Sequence, residues 1–207
     1  MKIRIITLLT GLFIFTAGIN AQIFKGGVLL GINGSQIDGD NQSGYNKFGL
    51  MGGAFIYTPL STNFDLQFEI EYMGKGAQSS GDDGFGTLNE LTISLNYIEL
   101  PVIVRLNTVK GFSIEGGLGF GYLFSSSQTL SYSSGTSQFN FKTFELSGIL
   151  GFGYKINESF SVLARYSYSF TEIAPTIATN PNDLALGSGL YNNIFSLGLC
   201  FHFPSYQ

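Results

Sequence analysis

Charge is scarce in this chain. Asp, Glu, Lys and Arg make up 12% of its 207 residues, about half the roughly 25% of soluble globular proteins. A soluble domain needs a charged surface, so that class fits badly. Long apolar runs are scarce too. Beyond the N-terminus no stretch reaches the ~18 apolar residues that mark a transmembrane helix, so a helical membrane protein fits no better. Cys200 is the lone cysteine, which excludes an internal disulfide and a cysteine-built metal site. His202 is the lone histidine, which excludes a two-histidine zinc site. The net charge is -4, so nucleic-acid binding lacks electrostatic support. Tryptophan is absent, and any aromatic belt must be made of Tyr and Phe. No motif asks for a cofactor.

What is present is glycine (28 residues), aromatics, and a period of two. The longest example is 90–106. There Leu91, Ile93 and Leu95 alternate with Glu90, Thr92, Ser94 and Asn96. Near residues 97 and 98 the phase slips by one. Beyond it Ile98, Leu100, Val102, Val104 and Leu106 are the apolar set, and Glu99 and Arg105 share the other. Such alternation puts the two sets on opposite faces of a strand, and a one-residue slip reads as a β-bulge. On that reading one face is apolar over the whole segment. Seven more segments alternate: 24–35, 47–57, 64–73, 112–124, 143–154, 160–170 and 195–203. The cleanest is 64–73, where Phe64, Leu66, Phe68, Ile70 and Tyr72 face away from Asp65, Gln67, Glu69 and Glu71. Eight segments of about 9–11 residues suit strands crossing a membrane at a tilt. Phe and Tyr crowd the ends of the apolar faces, where girdles meet headgroups.

The connections alternate in length. Those at 36–46, 74–89, 125–142 and 171–193 are long and rich in Gly, Ser, Asn and Asp; those at 58–63, 107–111 and 155–159 are short. Outer-membrane barrels pair short periplasmic turns with long external loops. The reading is all-β: an eight-stranded antiparallel up-and-down transmembrane β-barrel of the cell outer membrane. Residues 1–21 read as a secretory signal peptide. Lys2 and Arg4 precede an apolar stretch from 5 to 17, with cleavage between Ala21 and Gln22. An uncleaved anchor is disfavoured because the stretch is shorter than the ~20 residues a span requires. Residues 22–207 then form one barrel domain.

Lys25, Asp65, Glu69, Glu71, Glu99, Arg105, Glu115, Glu145 and Arg165 all fall on polar faces. A Lys or Arg in mid-bilayer hydrocarbon costs about 2–4 kcal/mol, so these charges are expected in the lumen. An eight-stranded barrel is just wide enough for side chains to fill it, and buried ions there need partners. Asp65 is predicted to pair with Arg105 near the periplasmic end. Glu71 and Glu99 are expected side by side deeper in, relieved by Arg165 from the opposite wall. The structural reading is a polar plug; the functional one is a narrow ion or proton path.

Catalytic candidates are weak. His202 falls on an inward face at the periplasmic end and reads as a plug residue. The Ser-rich stretch 125–137 has nothing to activate a hydroxyl. Gly116, Gly117 and Gly119 precede no helix, so they do not cradle phosphate. Asp82 and Asp83 read as a solvated loop tip rather than a cation site.

The run Tyr97-Ile98-Glu99-Leu100-Pro101, continuing to Leu106, resembles the PorT-like outer-membrane β-barrel family of Bacteroidota. The start at Lys25-Gly26-Gly27-Val28 fits the same group. The resemblance covers residues 22–203 and implies an eight-stranded OmpX-like barrel in the outer membrane, in a family whose members mostly lack an assigned activity; the chain is read as non-enzymatic. It implies contact with outer-membrane lipid and with the insertion machinery, which reads a terminal aromatic. Here Phe203 is followed by four more residues, a departure from that pattern. Three functions follow: a structural or loop-presenting barrel that contacts a surface or partner protein, a narrow pore or secretion accessory, and a soluble lipocalin-like carrier. The carrier requires an apolar interior and a polar exterior.

Overall fold

The computed structural model describes residues 24–39, 44–82, 88–131, 139–175 and 189–204. The predicted signal peptide with its Ala21–Gln22 junction, Asp83 of the paired acids, and residues 132–137 of the Ser-rich stretch lie outside these.

The described residues form nine strands: β1 (Lys25–Asp38), β2 (Lys47–Pro59), β3 (Phe64–Asp82), β4 (Leu88–Asn107), β5 (Phe112–Ser131), β6 (Phe144–Lys155), β7 (Phe160–Ser169), the two-residue β8 (Ala174–Pro175) and β9 (Gly189–His202). All pairings are antiparallel, each of β1 to β6 pairs with the next, and β7 pairs with β9. β9 also pairs with β1, from Gly27↔His202 to Asp38↔Tyr191. Eight strands therefore close into a barrel with no free edge through its membrane belt. β8 is a short addition to the outer end of β9.

The alternation decides which way each strand faces. On β1 Leu29 is 1% exposed and its neighbour Leu30 is 70%. Outward rows run through Phe48, Leu50 and Ile56, through Phe68 and Ile70, through Leu100 and Val104, and through Phe195, Leu197 and Leu199. Inward rows hold Glu69, Glu71, Glu99, Glu115, Glu145 and Arg165, all buried. The sheet is apolar outside and ionic within, the reverse of the carrier arrangement.

Three short turns close one end. Leu60 N–H donates to Phe64 C=O at 2.8 Å, Thr108 to Phe112 at 2.8 Å and Ile156 to Phe160 at 2.9 Å. Each turn ends on an outward Phe, and these begin the lower aromatic belt, where Phe112 meets Tyr154 at 4.8 Å and Phe160 meets Phe201 at 5.3 Å. The upper belt includes Tyr122 against Phe144 at 5.5 Å and Tyr72 against Phe124 at 6.3 Å. Between the belts the Phe170 ring lies on Gly148, in space a side chain there would need.

Two expectations require correction. The first is the predicted bulge in β4. Its pairing with β3 keeps one register from Leu106 to Leu88, with a gap only opposite Glu69 and Ile70. That gap falls at Pro101 and Leu100, and Pro has no N–H to donate. The irregularity lies in β5: Asn96 faces Ser125 and Tyr97 faces Leu123, which leaves Phe124 as the extra residue. Ile93 and Leu95 are 0% exposed and share the inward row with Tyr97 and Glu99. The apolar set thus changes sides because its surroundings change. Within lipid the strand turns grease outward; above lipid it turns grease inward.

The second correction concerns the long loops. Much of 74–89 and 125–142 is strand, because β3, β4 and β5 run 19, 20 and 20 residues. That is nearly double the 9–11 a span requires, so these three strands rise beyond the membrane together.

Candidate functional site in the lumen

From the periplasmic end upward, the lumen is filled in layers. The lowest closed layer centres on Arg165 of β7. Its Nη1 and Nη2 donate to Glu69 at 2.8 and 2.7 Å, and its Nε donates to Glu115 at 2.8 Å. Arg105 donates to the other oxygen of Glu115, from Nε at 2.9 Å and Nη2 at 2.8 Å. Gln67 also hydrogen-bonds Glu69. The register explains how Arg165 reaches Glu115: Glu115 faces Gly151, and Gly151 faces Arg165. A Cβ on Gly151 would stand 2.9 Å from Arg165 Cγ, so the glycine leaves the lane that the arginine stem occupies.

The next layer is built on Lys75 of β3. Its ammonium is ion-paired with Glu99, lies 3.0 and 3.1 Å from the two oxygens of Glu145, and sits over the Tyr97 ring at 4.6 Å. Asn192 donates to Glu145 at 2.9 Å. Glu99 and Glu145 flank Gly121 in one row, another lane kept open by glycine. Above this lies an apolar cap of Ile37, Ile93, Leu95, Ile173, Ala174 and Leu190, all buried in one cluster with Tyr97. Ile173 N–H donates to Leu190 C=O at 2.8 Å, which fixes residues 173 and 174 across the top of β9.

The predicted network is therefore assembled, with different partners. Asp65 and Arg105 are register neighbours, but they do not pair. Asp65 accepts from Asn107 Nδ2 at 2.7 Å, and Arg105 goes to Glu115. The competing carboxylate sits on the other adjacent strand, since Arg105 faces Glu115 as well as Asp65. Glu71 and Glu99 do lie side by side. Arg165 makes no ion pair with either of them; its direct partners are Glu69 and Glu115, and its charge acts on Glu71 through space. Lys75 relieves Glu99, while Glu71 Oε2 has no hydrogen-bond partner among the described residues. Lys75 escapes a reading from sequence because 74–89 has the composition of a loop. Its signal is an inward phase continuing from Glu69, Glu71 and Met73. Lys25 lies at the open periplasmic mouth. In the family-like run, Tyr97 and Glu99 point inward at Lys75, and Ile98 and Leu100 point to lipid.

His202 is inward and periplasmic, as expected. Its Nε2 lies 2.8 Å from Ser161 Oγ, and its ring meets Phe55 and Tyr57 edge-on at 5.2 and 5.9 Å. Among the described residues no carboxylate hydrogen-bonds its other ring nitrogen, the place that the third member of a catalytic triad takes.

A closed barrel with two aromatic belts, an apolar exterior and an ion-paired interior defines an integral outer-membrane protein. Residues 17–174 match the family described as outer membrane protein beta-barrel domain, and the chain belongs to that family. Among solved structures it is similar to Neisserial surface protein A, with a TM-score of 0.55, 12% identity, and 86% of this chain and 97% of that one covered. It is also similar to Ail of Yersinia pestis, solved with the heparin analogue sucrose octasulfate. There the TM-score is 0.49, the identity 15%, and the coverage 87% and 99%. At these identities the likeness is one of fold. No curated protein sequence matches the chain.

Proposed function

We propose that this protein is a non-enzymatic, non-conducting outer-membrane barrel whose raised outer end makes contact with a surface or a partner protein. The observation that carries the reading is the contrast between its two parts. The lumen is crossed by the Arg165 layer, the Lys75 layer and the apolar cap, while β3, β4 and β5 continue well past the membrane. Binding residues concentrate on segments that a rigid scaffold holds out into solvent. On the raised part of β4, Thr92, Ser94 and Asn96 alternate with buried Ile93 and Leu95, so its outer face is neutral and polar. The resemblance of residues 97–106 to PorT-like barrels supports a second reading, an accessory of secretion, in which the same raised end meets a secretion partner.

The test is conductance of the refolded protein in planar bilayers. A silent membrane is expected, and stepwise currents would replace the plug with a pore. Replacing residues 78–92 by a short turn is then expected to leave insertion intact and abolish binding to whichever surface the full protein recognises. Retained binding after that trimming would remove the raised end from the function.

A further inference from the structure

The outer end of the lumen is filled by apolar side chains; the periplasmic end is not. Below the Arg165 layer the barrel opens into a cup of about 340 Å³, within the size range of small-molecule sites, roughly 300–1,000 Å³. Its walls come from seven of the strands and include Lys25, Tyr57, Arg105, Ser161, Leu163 and His202. Glu115 forms part of its roof.

Among the residues that line this cup, the cations Lys25, Arg105 and Lys155 outnumber the carboxylates Glu115 and Glu158; Asp65, beside Arg105 on β3, is not part of the lining and accepts from Asn107. Glu115 is already held by two guanidinium groups. Glu158 at the rim is held by Lys155 at 2.8 Å. Lys25 has no ion-pair partner among the described residues. Arg105 spends only its Nε and Nη2 on Glu115, and a guanidinium carries five N–H donors. The rim senses this field: Lys155 holds the Glu158 carboxyl below its ordinary range, with Lys25 and His202 adding to the effect. Low-dielectric walls focus such a potential onto whatever enters. Beside the cations stand flat and apolar surfaces. The Tyr57 ring packs under Arg105 at 5.9 Å and against the His202 ring, and Leu163 is buried at the wall.

We infer that the periplasmic cup binds a small organic anion, a carboxylate or a phosphate, with its charge on Arg105 and Lys25 and its body against Tyr57, His202 and Leu163. The inference is independent of surface contact at the other end of the barrel.

The experiment is calorimetric titration of the full protein in detergent micelles with three probes: inorganic phosphate, N-acetyl-alanyl-alanine with a free carboxylate, and the same dipeptide as its C-terminal amide. One of the two anions is expected to bind, with the amide at least about tenfold weaker, as expected when a charge-assisted hydrogen bond is lost. Preference for the dipeptide acid identifies a peptide terminus as the source; preference for phosphate identifies a phosphorylated solute or headgroup. Arg105→Gln also disturbs Glu115, so Lys25→Gln is the cleaner variant, because Lys25 holds no ion pair among the described residues. Lys25→Gln is expected to weaken binding several-fold, and Lys47→Gln, at the opposite end of the barrel, to leave it unchanged. Absence of heat with both anions, equal binding of acid and amide, or equal loss in both lysine variants would overturn the site.

Discussion

Arg165 shows what a single residue does in this lumen. It lies buried between two carboxylates, and one glycine makes room for its stem. Removing one partner of a buried ion pair typically costs about 3–5 kcal/mol, because the other charge is left uncompensated. Arg165→Met is therefore expected to lower the urea midpoint of the barrel in lipid vesicles by an amount corresponding to that range. Adding Glu69→Gln is expected to cost less than the sum of the two single changes, since the second removes a charge the first has orphaned. Full additivity would mean that Arg165 and Glu69 do not interact. At this scale the sequence is legible as to side but not as to partner. Period two keeps all nine charges off the lipid face. It cannot rank Asp65 against Glu115 for Arg105, because both are one strand away and the choice depends on how far each side chain reaches.

Among the strands, β4 carries the most information and is the easiest to misread. Leu91, Ile93 and Leu95 alternate as Ile98, Leu100 and Val102 do, and nothing in the alternation says which solvent lies outside. A slip of phase in an otherwise regular strand has two physical causes: an extra residue, or a change of surroundings at a fixed register. Here the second holds in β4, and the extra residue sits across the ladder at Phe124. The two causes predict opposite labelling. In a Cys200→Ser background, cysteines at Ser94 and Asn96 are expected to react with a water-soluble maleimide. Cysteines at Leu95, Leu100 and Val102 are expected to stay unreactive toward it, and only the latter two to be quenched by a lipid-borne label. Quenching of Leu95→Cys from lipid would restore the bulge to β4. Truncating the cap is a local matter as well. Leu95→Ala removes a fully buried side chain, a change that costs about 2–5 kcal/mol in a packed core. The loss is expected in hydrogen exchange of the raised strands, with the membrane belt still protected.

For the molecule as a whole, orientation follows from where chain length is spent. The three tight turns carry Lys110, Lys155 and an aromatic belt of their own; the opposite end carries the raised strands and Lys142, which pairs with Glu172 at 3.4 Å and stays half exposed. Length alternation is legible in the sequence, because a turn of a few residues and a connection of a dozen differ in count alone. That part of the long connections is strand is not legible there, since Ser, Gly and Thr suit a solvated sheet and a loop equally well. The topology yields one orientation once the N-terminal strand enters from the periplasm: every tight turn shares that side. A membrane-impermeant amine reagent applied to intact cells is expected to modify Lys142 and to spare Lys110 and Lys155. Permeabilising the outer membrane is expected to bring those two up to the level of Lys142, with Lys75 protected throughout by its burial between Glu99 and Glu145. Should Lys110 and Lys155 react first on intact cells, the barrel is inverted. The cup would then open to the medium, and the raised strands would face the periplasm.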